Sequence, residues 1–242
     1  MLQRTEGIVL RSNPYGEADL IVTYLTPDHG IIKVFAKSPR KVKSRFGSSL
    51  EPLTCARIAY WGKEDAALPR LTQADITHAY RSIRESLHCF LKASELVEMT
   101  LHFVPERDRS RNVFSLLLQT LSLMETGCAD PLIPLFYKLK LLEIAGFLPG
   151  LQSCGRCGSE GDAFHLSHGT VLCGKCCSDE GLVSRLSPGV RTFFSSLLKW
   201  DMDKLNRLKP AEGIMRELSI IIDEHAQYVT EKNLRTKTFR AG

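Results

Sequence analysis

Several things are missing from this chain, and each absence narrows its function. There is no G-x-x-x-x-G-K-[ST] loop to cradle a nucleotide triphosphate and no G-x-G-x-x-G turn. H-E-x-x-H and G-x-S-x-G are also absent, which removes the common zinc-protease and serine-hydrolase signatures. No run of eighteen apolar residues exists, so no transmembrane helix is expected. The opening Met1-Leu2-Gln3-Arg4-Thr5-Glu6 lacks the apolar core of a secretory signal and leads into a strand-like stretch. A cytoplasmic location is therefore expected. Carboxylates near turns, such as Glu17, Asp19 and Asp28, have no second cluster to join them, and no enzyme is expected.

What the chain does have is ordinary globular composition, 43% hydrophobic and 24% charged over 242 residues, enough for two or three small domains. Its formal net charge of +5 is unevenly spread. Residues 151–182 carry 2 basic and 4 acidic side chains, whereas residues 183–242 carry 11 and 7. From Lys33 to Arg45 there are six basic residues and no acid: Lys33, Lys37, Arg40, Lys41, Lys43 and Arg45. Such a stretch suits a polyanion, against the plainer alternative of a solvated loop.

Residues 1–76 read as all-β. Five strands are predicted: Glu6–Arg11, Asp19–Thr26, Ile31–Lys37, Leu53–Trp61 and Leu68–Asp75. Asn13-Pro14-Tyr15-Gly16 is expected to turn the first strand into the second, and Pro27-Asp28-His29-Gly30 the second into the third. Five short strands suggest a small barrel of the OB type, with an SH3-like barrel as the rival. The basic stretch falls between strands three and four. Tyr24 and Phe35 are read as core aromatics, and Phe46, in the loop beside Arg45, as a candidate for stacking on bases.

From residue 81 the apolar spacing becomes helical, with Ile83, Leu87, Phe90, Leu91, Val97, Leu101 and Val104, then Val113, Leu117, Leu121 and Met124. A third helix is punctuated by Asp130, Pro131 and Gly146, with a stripe of Leu132, Leu135, Phe136, Leu139 and Leu142. After the cysteine-rich segment, Ser187-Pro188 opens a helix carrying Val190, Phe193, Phe194 and Leu197. A longer one follows with Ile214, Leu218, Ile221, Ile222 and Val229. The end from Lys232 reads as a polar, basic tail.

The sharpest signal is Cys154-x2-Cys157, fifteen residues, then Cys173-x2-Cys176. Zinc takes four such ligands in a tetrahedron, and paired C-x2-C turns deliver them two at a time. With all four positions filled by protein, the site is structural. Cys177, His165 and His168 are alternative ligands, disfavoured by a complete four-cysteine set. Cys55, Cys89 and Cys128 read as small core residues. Four thiolates on one zinc add negative charge to an already acidic segment, so it reads as a scaffold and not a phosphate site.

The order of motifs resembles a known family. Gly7-Ile8-Val9-Leu10 precedes Tyr15-Gly16-Glu17-Ala18-Asp19-Leu20-Ile21-Val22; Thr26 and Gly30 follow, then Ala36-Lys37-Ser38-Pro39-Arg40-Lys41, Arg45 and Leu50-Glu51-Pro52. Lys140-Leu141-Leu142-Glu143-Ile144-Ala145-Gly146-Phe147-Leu148-Pro149 runs directly into the first cysteine pair. Over nearly its whole length the chain is similar to the bacterial recombination-mediator family RecO. The resemblance implies an α+β multidomain protein: an OB-fold β-barrel (1–80), a helical domain (81–150 and 183–242) and an inserted four-cysteine zinc module (151–182). It also implies binding to single- and double-stranded DNA, annealing of complementary strands, and partnership with RecR. A further implied partner is the acidic C-terminal tail of single-strand binding protein, with loading of RecA as the outcome. The DNA-contact role carries over to Lys37, Arg40, Lys41, Lys43 and Arg45. One departure is Lys37-Ser38-Pro39, where the family has Lys-Gly. A reading from another class is a structural zinc protein in an RNA or ribosomal complex.

Overall fold

The computed structural model describes residues 1–40, 44–63, 66–177 and 183–231. Contacts divide the chain into two compact units, Met1–Ala129 and Asp130–Gly242.

The first unit opens with a closed five-stranded barrel: β1 (Leu2–Tyr15), β2 (Asp19–Thr26), β3 (Gly30–Ala36), β4 (Cys55–Trp61) and β5 (Arg70–His78), in the order β1-β2-β3-β5-β4. Placing β5 between β3 and β4 is the Greek-key closure of an OB barrel. β1 is far longer than expected because it serves two partners. Leu2 to Ile8 pairs with β4, Ile8 to Tyr15 pairs with β2, and an irregularity between Val9 and Arg11 lets the strand bend. The expected turn at Asn13–Gly16 is accordingly displaced; Pro14 and Tyr15 stay in the ladder, and the chain reverses after Gly16 at φ +61. β3 and β5 run parallel and close the barrel at Phe35 and Arg70, where the Phe35 amide also donates to Pro69 O at 2.8 Å.

Period-two alternation fills the interior. Val22 and Tyr24 of β2, Ile32, Val34 and Ala36 of β3, and Ala56, Ile58 and Tyr60 of β4 meet Val9 and Leu71. Phe46 and Leu50 come from the connection after β3 and complete this core.

Helices α1 (Arg81–Glu85), α2 (Leu87–Phe103) and α3 (Arg111–Gly127) follow. Ser86 caps α2 by accepting from the Cys89 amide. The segment between α2 and α3 straps the β2–β3 turn: Arg107 N donates to Ile31 O at 3.0 Å and Ser110 N to Pro27 O at 3.3 Å. Gly30, at φ +58, is required there, since a Cβ would lie 1.9 Å from Asp108 O. Cys89 and Cys128 are not simple core residues as expected. They form a disulfide between the first turn of α2 and the residue after α3. Their 39-residue separation carries no spacing motif, and only the helical fold brings them together.

The second unit contains α4 (Leu132–Ala145), a three-stranded sheet ordered β7-β6-β8, α5 (Pro188–Lys199) and α6 (Glu212–Thr230). The sheet strands are β6 (Ala163–His165), β7 (Thr170–Leu172) and β8 (Val183–Arg185). Asp130 caps α4 through the Leu132 amide at 2.8 Å, and Gly146 ends it at φ +79. The predicted stripe on α4 is buried, but so are Ile133, Tyr137 and Leu141, so the helix is covered nearly all round. Lys138, also buried, is matched by Asp223 of α6 at 2.6 Å. Among the described residues no helix is long and apolar enough to cross a membrane.

Candidate metal centre and nucleic-acid interface

The metal centre is built from two tight turns. In the first, Cys154 O accepts from Gly158 N at 2.8 Å, with Gly158 at φ +74, and Cys154 N donates to Ser159 O at 2.8 Å. In the second, Cys173 O accepts from Cys176 N at 2.9 Å and from Cys177 N at 3.0 Å. β6 and β7 fix how the turns face each other: Gly155 N donates to Val171 O at 3.0 Å, and a Cβ on Gly155 would lie 2.6 Å from Thr170. The glycine is needed for this close approach and not for an unusual φ.

The four sulfurs of Cys154, Cys157, Cys173 and Cys176 lie within 4.8 Å of one another, with Cys157 and Cys173 3.5 Å apart. A tetrahedron with Zn–S bonds of about 2.3 Å has S–S edges of about 3.8 Å, so the set fits such an ion. Backbone amides of Cys173 and Cys157 face the Cys154 sulfur and bring its thiol down to about 6. Hydrogen bonds from Cys157 and Cys173 push Cys176 up to about 12. The four thiols titrate as one coupled set, and a bound cation would deprotonate all of them. The alternative ligands stand apart. His165 is buried in β6, His168 closes the short helical turn after it, and Cys177 packs beside the cluster outside the four. With four sulfurs converging, the centre can hold an ion but offers it no open coordination position for chemistry.

The basic stretch behaves differently. Lys37, Arg40 and Arg45 are exposed; Lys41 and Lys43 lie outside the described residues, as do Lys232, Arg235, Lys237 and Arg240 of the tail. The segment is tied down at intervals. Ser38 N donates to Asp19 Oδ1 at 2.6 Å, and Arg40 N to Ala18 O at 3.3 Å. Lys33 projects from the outer face of β3 and is engaged by Glu106.

Two aromatic expectations are overturned. Phe46 is only 4% exposed and belongs to the barrel core, with Arg45 lying over its ring at 4.9 Å. Ser49 N and Oγ both donate to Phe46 O, turning the loop so that the ring enters the barrel. Phe35 is on the outer face, half-buried, because its neighbours Val34 and Ala36 take the inward positions of β3. Tyr24 is fully buried as expected. The exposed barrel aromatics are ones the sequence reading passed over: Trp61, 62% exposed, and Tyr15, 54% exposed. Alternation could have found Trp61, since inward Tyr60 forces it outward.

A closed OB barrel followed by helices and a four-thiol cluster defines an α+β multidomain protein with a candidate metal site. Comparison with known proteins makes the class specific. Residues 1–80 match the family model described as Recombination protein O N terminal, and residues 84–238 match Recombination protein O C terminal. The chain belongs to the recombination protein O family. It is 39% identical to "DNA repair protein RecO" of Thermodesulfovibrio yellowstonii, covering 95% of this chain and 97% of that protein. Proteins of the same name from Desulforamulus reducens and Bacillus subtilis are 29% and 27% identical; the matches cover 98% and 99% of this chain, and 93% and 94% of those proteins.

Proposed function

We propose that this chain is a non-catalytic DNA repair and recombination mediator. It binds single- and double-stranded DNA, anneals complementary strands, and with RecR helps load RecA onto DNA coated by single-strand binding protein. That coating protein's acidic C-terminal tail is a further partner. The setting is the cytoplasm, at the nucleoid. The observation that carries the reading is the exposure of Lys37, Arg40 and Arg45 after β3 of a closed OB barrel, in a chain that matches RecO proteins over nearly its whole length. Lys37, Arg40, Lys41, Lys43 and Arg45 contact phosphates, which neutralises strand repulsion and leaves base edges free to pair. Residues 1–80 form the DNA-binding domain; residues 81–150 and 183–242 form the helical domain around the module at 151–182. In that module Cys154, Cys157, Cys173 and Cys176 hold one zinc ion, whose chemistry is to cross-link the two turns.

The test is a salt titration of single-strand binding. Each phosphate contact adds about −0.7 to the log–log slope. Replacing Arg40, Lys41, Lys43 and Arg45 with alanine is expected to flatten the slope by up to about 3 and to slow annealing. A loop variant with wild-type affinity and slope, beside a truncation after Glu231 that loses both, would move the site to the tail. Preference for RNA over DNA of equal length, without annealing, would defeat the repair reading.

A further inference from the structure

The barrel carries an outward row of side chains that the basic loop does not explain. Strand register sets it. Leu2 of β1 pairs with Trp61 of β4, Trp61 pairs with Arg70 of β5, and Arg70 pairs with Phe35 of β3. Paired residues on adjacent strands project to the same face, and adjacent strands lie about 4.8 Å apart. The guanidinium of Arg70 is thus carried between two aromatic residues. Tyr15 extends the row, meeting the Phe35 ring edge-on at 5.9 Å.

The row has no internal occupant. Trp61 and Tyr15 are more than half exposed, Leu2 is 50% exposed and Arg70 is exposed. Large aromatics are usually mostly buried, so two of them open to solvent beside a cation are out of the ordinary. Arg70 is held by its backbone in the β5 ladder, and its side chain makes no hydrogen bond or ion pair among the described residues. Two acids lie near the Tyr15 end: Glu17, exposed in the turn after β1, and Asp19, the cross-strand partner of Tyr15, whose carboxylate accepts from the Ser38 amide. Lys37 and Arg40, both exposed, follow β3 directly beyond Phe35.

We infer that Trp61, Arg70 and Phe35, with Tyr15 braced against Phe35, form a stacking row for the bases of one unpaired nucleic-acid strand. The inference rests on the nucleic-acid reading above and adds what phosphate contacts cannot provide: a preference for single strands. Aromatic faces and a guanidinium plane accept any base by stacking, whereas a duplex hides its base faces. The adjoining cations Lys37 and Arg40, both exposed, match the strand's phosphates, while Glu17 and Asp19 lie only at the Tyr15 end, away from Trp61 and Arg70 in the register. Phosphates held on the loop and bases laid on the row would keep a strand extended and accessible for pairing.

The chain has two tryptophans, Trp61 and Trp200, so Trp200→Phe makes Trp61 the sole reporter. Full-length Trp200→Phe protein is titrated with an oligothymidylate, with an abasic oligomer of equal phosphate count, and with a duplex. Quenching by the oligothymidylate alone is expected. Trp61→Ala should weaken oligothymidylate binding about tenfold with the salt slope unchanged, and Trp61→Phe should restore most of it. Because Trp61 is exposed, its replacement leaves the thermal midpoint in place, which separates lost stacking from lost folding. Equal affinity for the oligothymidylate and the abasic oligomer, without quenching, overturns the row but leaves phosphate binding standing. Equal quenching by duplex also overturns it. Binding of neither oligomer defeats the nucleic-acid reading and this inference with it.

Discussion

The four-cysteine module and the barrel loop after β3 are both too short to build a core of their own, and they find support in different ways. The module gathers its own interior, with Cys154 and Cys173 buried beside Leu172 and four sulfurs converging on one point. The loop borrows an interior by sending Phe46 and Leu50 into the barrel while Arg45 stays outside. A metal-centred fold depends on a few interchange-intolerant ligands, whereas a borrowed anchor depends on shape and burial. Arg45 is therefore exposed on a segment anchored by the buried ring beside it.

The largest effect that would test this contrast is at the module. Zinc binding at such sites supplies apparent energies on the order of 10 kcal/mol, and that energy is folding energy. Cys154→Ser is expected to abolish stoichiometric zinc and collapse the module, read by elemental analysis and by the thermal midpoint. Wild-type protein that is metal-free when freshly purified under reducing conditions, or a Cys154→Ser variant that melts with the wild type, would break the comparison.

At the loop, Phe46→Ala should cost about 3–5 kcal/mol through lost burial and the cavity left behind. Arg45→Ala, one residue away, should cost no more than about 0.5 kcal/mol and act on the salt dependence of DNA binding instead. Urea denaturation of the two variants makes the measurement, and equal destabilisation would show that the loop is not anchored by the ring.

Gly30 and Gly47 sharpen the picture within the barrel, because both have positive φ but different surroundings. Gly30→Ala meets the Asp108 carbonyl, whereas a Cβ at Gly47 meets nothing within 4 Å. The expected costs are about 3 kcal/mol for Gly30→Ala, from strain plus collision, and about 1 kcal/mol for Gly47→Ala, from backbone conformation alone. Similar values from denaturant titration would mean that the strap yields freely.

The smallest effect is a pH dependence in the second unit. His225 is buried, donates Nε2–H to Phe147 O at 2.8 Å, and has its pKa lowered chiefly by that burial. A histidine with a lowered folded pKa binds fewer protons folded than unfolded. Its contribution is therefore fully present above the unfolded value of about 6.5 and declines as pH falls toward the folded value. Thermal melts between about pH 7.5 and 5 should show this decline, and it should be shallower in His225→Asn.

Much of this was legible in the sequence because it was written in local periods. Strands β2 to β4 lie within about two residues of their predicted limits, and the α4 stripe, its Asp130 cap and its Gly146 stop are where residue chemistry puts them. The four sulfurs were found because C-x2-C is a local geometry repeated twice. Phe46 was misread because a phenylalanine in a basic loop looks exposed until the barrel mouth that receives it is known. Phe35 was misread by taking the wrong phase of an alternation whose inward set is Ile32, Val34 and Ala36.

By itself, the sequence determined the class of each segment, the paired C-x2-C spacing of the four cysteines and the basic stretch, since each depends on neighbours a few residues apart. Tertiary structure alone decided that Cys89 joins Cys128, that Asp108 crosses Gly30, and that Trp61, Arg70 and Phe35 fall into one row. Those juxtapositions join residues from 9 positions apart (Trp61 and Arg70) to 78 (Gly30 and Asp108), and no local preference encodes the set. They follow from closing the barrel and folding α2 against α3, when burial of the shared core fixes strand register and loop path together.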